Sequence, residues 1–373
     1  MPNDFPYIEA KRGASRLSLA DLSSALRAAL PKILTGAIVE NEFLRGYPLP
    51  QSVLHGNPER PWDLAPQSIT RLKNALLSLS DSVSLDSTME ILQGVTPGGE
   101  ALGIFLTRSS QLAENALQVP ACEAEDVTSW RLGQTGKWLI YPYAPDGSVL
   151  DLGHLELDLS EEKAEERIEH LIATGKVEYP KAARFLVQHY NRLASREAEK
   201  RGWKEYGKRW YEYHRPRDSK RMRLSPKIVT RRMTKNAEFA LDEKGVVPTD
   251  GCFALSLKES STWRDAMRSS GFTDRDSLLF LLGLLNSNIF KVLLRSTADT
   301  WQGGFYQVRE DLLSQIPVLI PSEKNRRRFR LIVDVVGEVA NGRGNPDQVN
   351  GEIFRLYGQA RNRQSIVRFL SSR

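Results

Sequence analysis

Apolar and polar positions along the chain change their period three times. Residues 18–33, "SLADLSSALRAALPKI", place Leu19, Leu22, Leu26 and Leu30 on one stripe behind Ser18, a suitable N-cap, and predict a helix. Five prolines and two glycines between Arg45 and Pro66 predict an irregular connector, and a second helix follows over residues 67–81. From Thr88 to Tyr143, short apolar runs alternate with turn signals, as in "MEILQGVTPGGEALGIFLTR" and "GKWLIYPYAPDG". This stretch predicts strands and hairpins, with one short helix at "QLAENAL". Helical spacing returns over residues 160–176 and in "YPKAARFLVQHYNRLASR", where Pro180 suits a first helical position. Four strand-like runs come next: "KRWYEYHR", "PKIVTRR", "AEFALDEKGVV" and "CFALSL". Three helical runs, 276–296, 322–341 and 346–370, close the chain. In period two, Arg209, Tyr211, Tyr213 and Arg215 would share one face of the "KRWYEYHR" strand, leaving Trp210 for the core.

Composition narrows the class. A chain of 373 residues with 40% hydrophobic and 26% charged residues can bury a substantial core. The N-terminus "MPNDFPYIEAKRG" lacks a signal-like apolar segment. The longest apolar run, residues 277–294, is interrupted by Asn286, Ser287, Asn288 and Lys291, so it predicts a buried core helix. A cytoplasmic protein with no membrane partner is the expectation. Cys122 and Cys252 stand far apart in sequence and fit neither a zinc spacing nor a disulfide framework.

Charge is informative once mapped. The chain carries a net +6, yet residues 196–235 hold fifteen Lys/Arg against five Asp/Glu. The basicity is therefore local, and the rest of the chain is slightly acidic. Such a run is either a solvated face or the footprint of a polyanion. Within it, "GWKEYGKRWYEYHRPRD" interleaves five aromatic rings with the cations, which favours nucleic acid.

Several reaction chemistries lack their residues. "GQTGKW" is too short for a phosphate loop, and no zinc-protease histidine pair or Gly-x-Ser-x-Gly elbow occurs. His55, His154, His170, His189 and His214 are scattered. Asp242, Glu243 and Lys244 fall in "DEKG", which reads as a hairpin turn. Neither an Asn-Pro-Pro-aromatic motif nor a glycine-rich cofactor loop is present. The pattern is that of a binding module, with no metal site and no catalytic residue.

The motifs also stand in a familiar order. "ILQGVTPGGEALGIFLTR", "LAENALQVPACEAEDVTSW", "KWLIYPY", "YPKAARFLVQHYNRLASR" and "GWKEYGKRWYEYHRPRD" succeed one another. "PKIVTRRMTKNAEFALDEKG", "LLGLLNSNIF", "GGFYQVREDLLSQIPVLIP" and "VNGEIFRLYG" complete the series. From about Trp62 onward this order resembles the TaqI-like C-terminal specificity region of adenine-specific DNA methyltransferases of restriction–modification and phage-defence systems. The glycine turn here reads Thr96-Pro97-Gly98-Gly99, without the asparagine usual in that family. The resemblance implies an α+β fold: a β-rich target-recognition domain over 81–320, an N-terminal helical and linker segment over 1–80, and a C-terminal helical segment over 321–373. It implies duplex DNA as ligand and a separate methyltransferase as partner. S-adenosylmethionine would belong to that partner, with no cofactor in this chain. The alternatives are the C-terminal half of a single-chain methyltransferase or restriction enzyme, and a defence scaffold of the same fold that binds protein.

The residues expected at DNA are Arg209, Tyr211, Tyr213, Arg215 and Arg217 for reading or bracing. Lys220, Arg221, Arg223, Lys227, Arg231 and Arg232 are expected at phosphates. Thr96, Gly98 and Gly99 belong to the glycine turn. Gly303 and Gly304 either admit the DNA backbone closely or merely turn a hairpin.

Overall fold

The computed structural model describes residues 4–10, 18–35, 37, 39–40, 44–50, 67–98, 100–196, 207–298, 300–301 and 304–371. Its architecture is mixed α and β. The centre is a five-stranded sheet ordered Met89–Gln93, Cys252–Leu257, Lys227–Arg231, Phe239–Asp242, Trp130–Arg131. The pairings are antiparallel except the last. Period-two burial makes this sheet a partition. Ile228, Phe239, Leu241, Phe253 and Leu255 face one core, built largely from helices. Val229, Ala240, Cys252 and Ala254, opposite in phase, face the other side.

On the helical side, Asp274–Asn286, Asn288–Thr297, Arg326–Ala340 and Pro346–Leu356 pack together, and Phe280 stacks on Phe329 at 4.2 Å. Gly283 permits this approach, because a Cβ there would stand 2.7 Å from the Val336 side chain. The apolar run becomes two buried helices bent by 54°, and no single described helix is long and apolar enough to cross a membrane. Buried Asn286 donates to the carbonyl of Phe239 at 2.8 Å and accepts from its N–H at 3.1 Å, so its polarity is satisfied inside the core.

On the other side lies a four-stranded sheet, ordered Val247–Pro248, Gln118–Cys122, Lys137–Ile140, Leu106–Thr107. The "WLIYPY" run is core, as its composition implies: Tyr141 and Tyr143 are buried. The two sheets touch at Gly94, where a Cβ would meet the carbonyl oxygen of Thr249 at 2.0 Å.

Several elements differ from the pattern-based expectation. Leu44–Pro50 is a strand, antiparallel to Asp4–Ala10, where a connector was expected. Among the described residues its second neighbour, Val39–Glu40, pairs only with Gly46 and Arg45. Residues 51–66 of that connector lie outside the described residues. "QLAENAL" forms turns, because Glu114 reaches across to accept from the N–H groups of Lys181 and Ala182 at 2.7 and 3.2 Å. It thereby caps Pro180–Val187, whose own N-cap residue offers no side chain. "DEKG" does turn, with Asp242 accepting from the N–H groups of Lys244 and Val246 at 2.8 Å each. It links two sheets and closes no hairpin, since Val247–Pro248 pairs parallel with Gln118–Cys122. That register also brings the two cysteines together. Cys122 hydrogen-bonds Cys252, and this bond, then burial, holds its thiol well above the ordinary range.

Lys227 is fully buried and contacts Asp242 at 2.5 Å. Burial pulls its ammonium toward the neutral form, and Asp242 opposes this. Lys227→Met would leave the buried carboxylate without its cation. It should lower unfolding free energy by about 3–5 kcal/mol, measured by urea denaturation.

Candidate nucleic-acid interface

Among the described residues, the basic, aromatic segment has almost no strand partner. Residues 207–214 run as turns, and only Arg215 makes a two-bond bridge, to Thr96, at 2.9 and 3.0 Å. The expected alternating strand is therefore absent. Trp210, Tyr211 and Tyr213 all point inward and are fully buried. Each also places its polar tip. Trp210 Nε1 donates to Gly153 O at 3.1 Å, Tyr211 Oη to Leu150 O at 2.9 Å and Tyr213 Oη to Ile140 O at 2.6 Å. Tyr213 packs edge-on against Phe105 at 4.8 Å and lies beside Tyr141 and Tyr143. Burial pushes the phenol of Tyr213 well up and that of Tyr141 to about 12. Aromatic period two failed here because a ring with a hydroxyl can satisfy a turn from inside as readily as it can pave a strand.

Many of the cations serve the same segment. Arg196, 4% exposed, donates to the carbonyls of Leu193, Pro97 and Trp210 at 2.8, 2.6 and 2.7 Å. Lys208 Nζ donates to the carbonyls of Tyr213 and His214. Arg209 donates to Tyr211 Oη at 2.8 Å, near Asp151. Arg221 pairs with Glu90 at 2.7 Å. Arg223 lies over the Tyr141 ring, donates to Tyr143 O at 2.9 Å, and is drawn below its ordinary range by burial. Arg231 donates to Val127 O at 2.7 Å beside Glu238. Lys227, expected at a phosphate, is in the core. Tyr211 and Tyr213, expected to brace arginines at a DNA surface, are core as well.

Two of the remaining expected residues, Arg217 and Arg232, come together at one edge. Arg215 and Lys220 are exposed. Arg217 and Arg232 line a cleft of about 410 Å³ together with Gln93, Gln307, Arg309 and Glu310. Phe253 and the end of the Met89–Gln93 strand form its floor. Burial first, then the charges of Arg215 and Arg232, draw Arg217 below its ordinary range, a measure of how closely these guanidiniums crowd. Arg217 adopts φ +64°, in the left-handed region that side chains rarely enter. Arg232 donates to Asp250 O at 3.3 Å, and Arg309 forks onto Asp311 at 3.0 Å. Gly98 is buried at φ +95° in the turn under Arg215, and Gly304, exposed at φ +72°, belongs to the hairpin of Thr300–Trp301 with Phe305–Gln307. Gly99 and Gly303 lie outside the described residues. Sequence reading missed Gln93, Gln307, Arg309 and Glu310. The available signal was phase: Tyr306 is buried, so Gln307 must face outward.

With this geometry in place, comparison with known proteins gives a class. Residues 176–318 match the family model of the TaqI-like C-terminal specificity domain. The resemblance read from the motifs holds over that segment, which contains every cleft residue except those on the Met89–Gln93 strand and carries both walls. A solved structure, the type IIG restriction endonuclease BpuSI, aligns at 10% identity with a TM-score of 0.42. That alignment covers 95% of this chain and 39% of BpuSI. Comparison with curated proteins gives no match.

The Arg196 contacts generate a stability expectation. Arg196→Met leaves three carbonyls short of a charged donor and should cost roughly 3 kcal/mol in urea unfolding. Arg192→Met, on an exposed arginine 3.9 Å from Glu100, should cost less than about 0.5 kcal/mol in the same assay.

Proposed function

We propose that this chain recognises a duplex DNA target sequence for a restriction–modification system, and that the cleft between Arg217 and Arg232 meets the base edges. The observation that carries this is the convergence of three guanidiniums and two side-chain amides on one cleft, in a segment matching a specificity domain. Cations neutralise phosphates, whereas amides and forked guanidiniums discriminate base edges. Arg215 and Lys220, both exposed, are the phosphate contacts.

The finer reading is a specificity part directing an adenine-specific methyltransferase carried on a separate chain, which would hold S-adenosylmethionine and the base pocket. The strands before the matched segment belong to the same folded body as it does. Met89–Gln93 pairs with Cys252–Leu257, Gln118–Cys122 with Val247–Pro248, and Ser82–Ser84 with Pro317–Leu319.

The test is binding of the full chain to duplexes selected from a randomised pool, repeated across a salt series. Log affinity should fall linearly with log salt, by about 0.9 for each phosphate met. Lys220→Ala should reduce that slope by about one and weaken selected and random duplexes alike. A flat salt response, or no enrichment of any sequence, would refute the reading. Co-purification of a methyltransferase with the tagged chain from its own cells, yielding methylated adenine in the selected sequence, tests the finer part.

A further inference from the structure

We infer that Gln93 and Arg217 act as one unit that reads a guanine. This rests on the cleft being the DNA-reading surface. Arg217 Nη2 donates to Gln93 Oε1 at 2.9 Å, and its Nε points to Gly94 O at 3.4 Å. The first bond fixes the amide, because an arginine can donate only to the oxygen of a glutamine. Gln93 Oε1 therefore commits one of its two lone pairs to Arg217, and its NH₂ group remains a donor in the cleft that both residues line. Arg217 presents Nη1, which has no hydrogen-bond partner among the described residues. Donors thus outnumber acceptors on the pair.

Among base-pair edges in the major groove, guanine offers two acceptors side by side, O6 and N7. Adenine offers one acceptor and one donor, thymine one acceptor beside a methyl group, and cytosine a donor. A donor-rich pair suits guanine best. Had Gln93 been unpaired, its amide could have turned to suit adenine. The bond to Arg217 holds the amide in one orientation, and the added Nη1 donor then favours guanine over adenine.

Both members are held in place. Gln93 ends a strand that is hydrogen-bonded to Cys252–Leu257. Arg217 lies between Pro216, whose carbonyl accepts from Tyr141 Oη at 2.5 Å, and Asp218, the N-cap of Ser219–Met222. Its φ of +64° persists because contacts on both sides dictate it, a condition found where a clamp must keep its aim. The other guanidiniums of the cleft are differently employed: Arg309 forks onto Asp311, and Arg232 reaches Asp250 O.

The experiment uses the full chain and the duplex it selects from a randomised pool. Each guanine of that duplex is replaced in turn by 7-deazaguanine, which lacks the N7 acceptor, and affinity is read by fluorescence anisotropy. One position should lose roughly 10-fold or more. At that position Arg217→Lys and Gln93→Ala should bind guanine and 7-deazaguanine equally, while preferences elsewhere in the site persist. Arg217→Gly should do the same and unfold at a temperature no lower than the parent, since glycine accepts positive φ freely. It therefore separates loss of reading from loss of fold. A selected sequence without guanine, or variants that keep the full 7-deazaguanine penalty at every position, overturns the inference and leaves target recognition standing. A parent chain that binds all duplexes alike overturns the recognition reading and this inference with it.

Discussion

A buried or crowded backbone carbonyl needs a donor, and this requirement organises the centre of the molecule. Residues 207–217 form turns with almost no ladder to supply donors. The donors come instead from the segment's own cations and from tyrosines beneath it. Arg196 donates to the carbonyl of Trp210 and Lys208 to those of Tyr213 and His214, while Arg223 and Lys227 brace the carbonyls of Tyr143 and Leu224 outside the segment. Tyr141 donates to the carbonyl of Pro216. What reads in sequence as a dense positive patch is, in the fold, largely a set of internal braces. Among the described residues of the patch, the positive groups left facing outward are few, and the braces determine where they stand.

This division explains how far the sequence could be read. Elements with one dominant period were legible. Ser18 capped the first helix as its spacing implied, and Pro180 opened its helix. Lys227–Arg231 and Cys252–Leu257 were strands as predicted. The order of motifs held for residues 176–318. The site was legible only in part. Arg217 and Arg232 were named and do meet, yet Lys227, Tyr211 and Tyr213 were named and are buried. Residue type alone does not separate a lysine that meets a phosphate from one that meets Asp242. That distinction depends on a partner fifteen residues away in an adjacent strand. Gln93 was invisible for the same reason, and Gln307 was marked only by its phase beside Tyr306, since the importance of either glutamine comes from its neighbours across the cleft.

The central sheet gives the cleft its position. Because its two faces serve different cores, segments from either side can arrive at the same edge without sharing a packing layer. Arg217 arrives from the aromatic side, and Gln307–Glu310 from the side of the helices. The Met89–Gln93 strand lies at the sheet edge between them. Gly94 lets that strand turn directly into the contact with Thr249, so the floor is set by backbone against backbone.

The same arrangement has a consequence in time. The cleft joins residues 93 and 310, which are far apart along the chain. During synthesis at about 5–20 residues per second, the Met89–Gln93 segment leaves the ribosome roughly 10–40 s before the opposite wall exists. Its pairing strand, Cys252–Leu257, is also still to come for most of that interval. An unpaired apolar edge is then exposed to other nascent chains, and closure carries the slow kinetics of distant contacts. The yield of folded protein should therefore depend on what shelters residues 89–93 during translation, a demand unrelated to anything the finished surface binds.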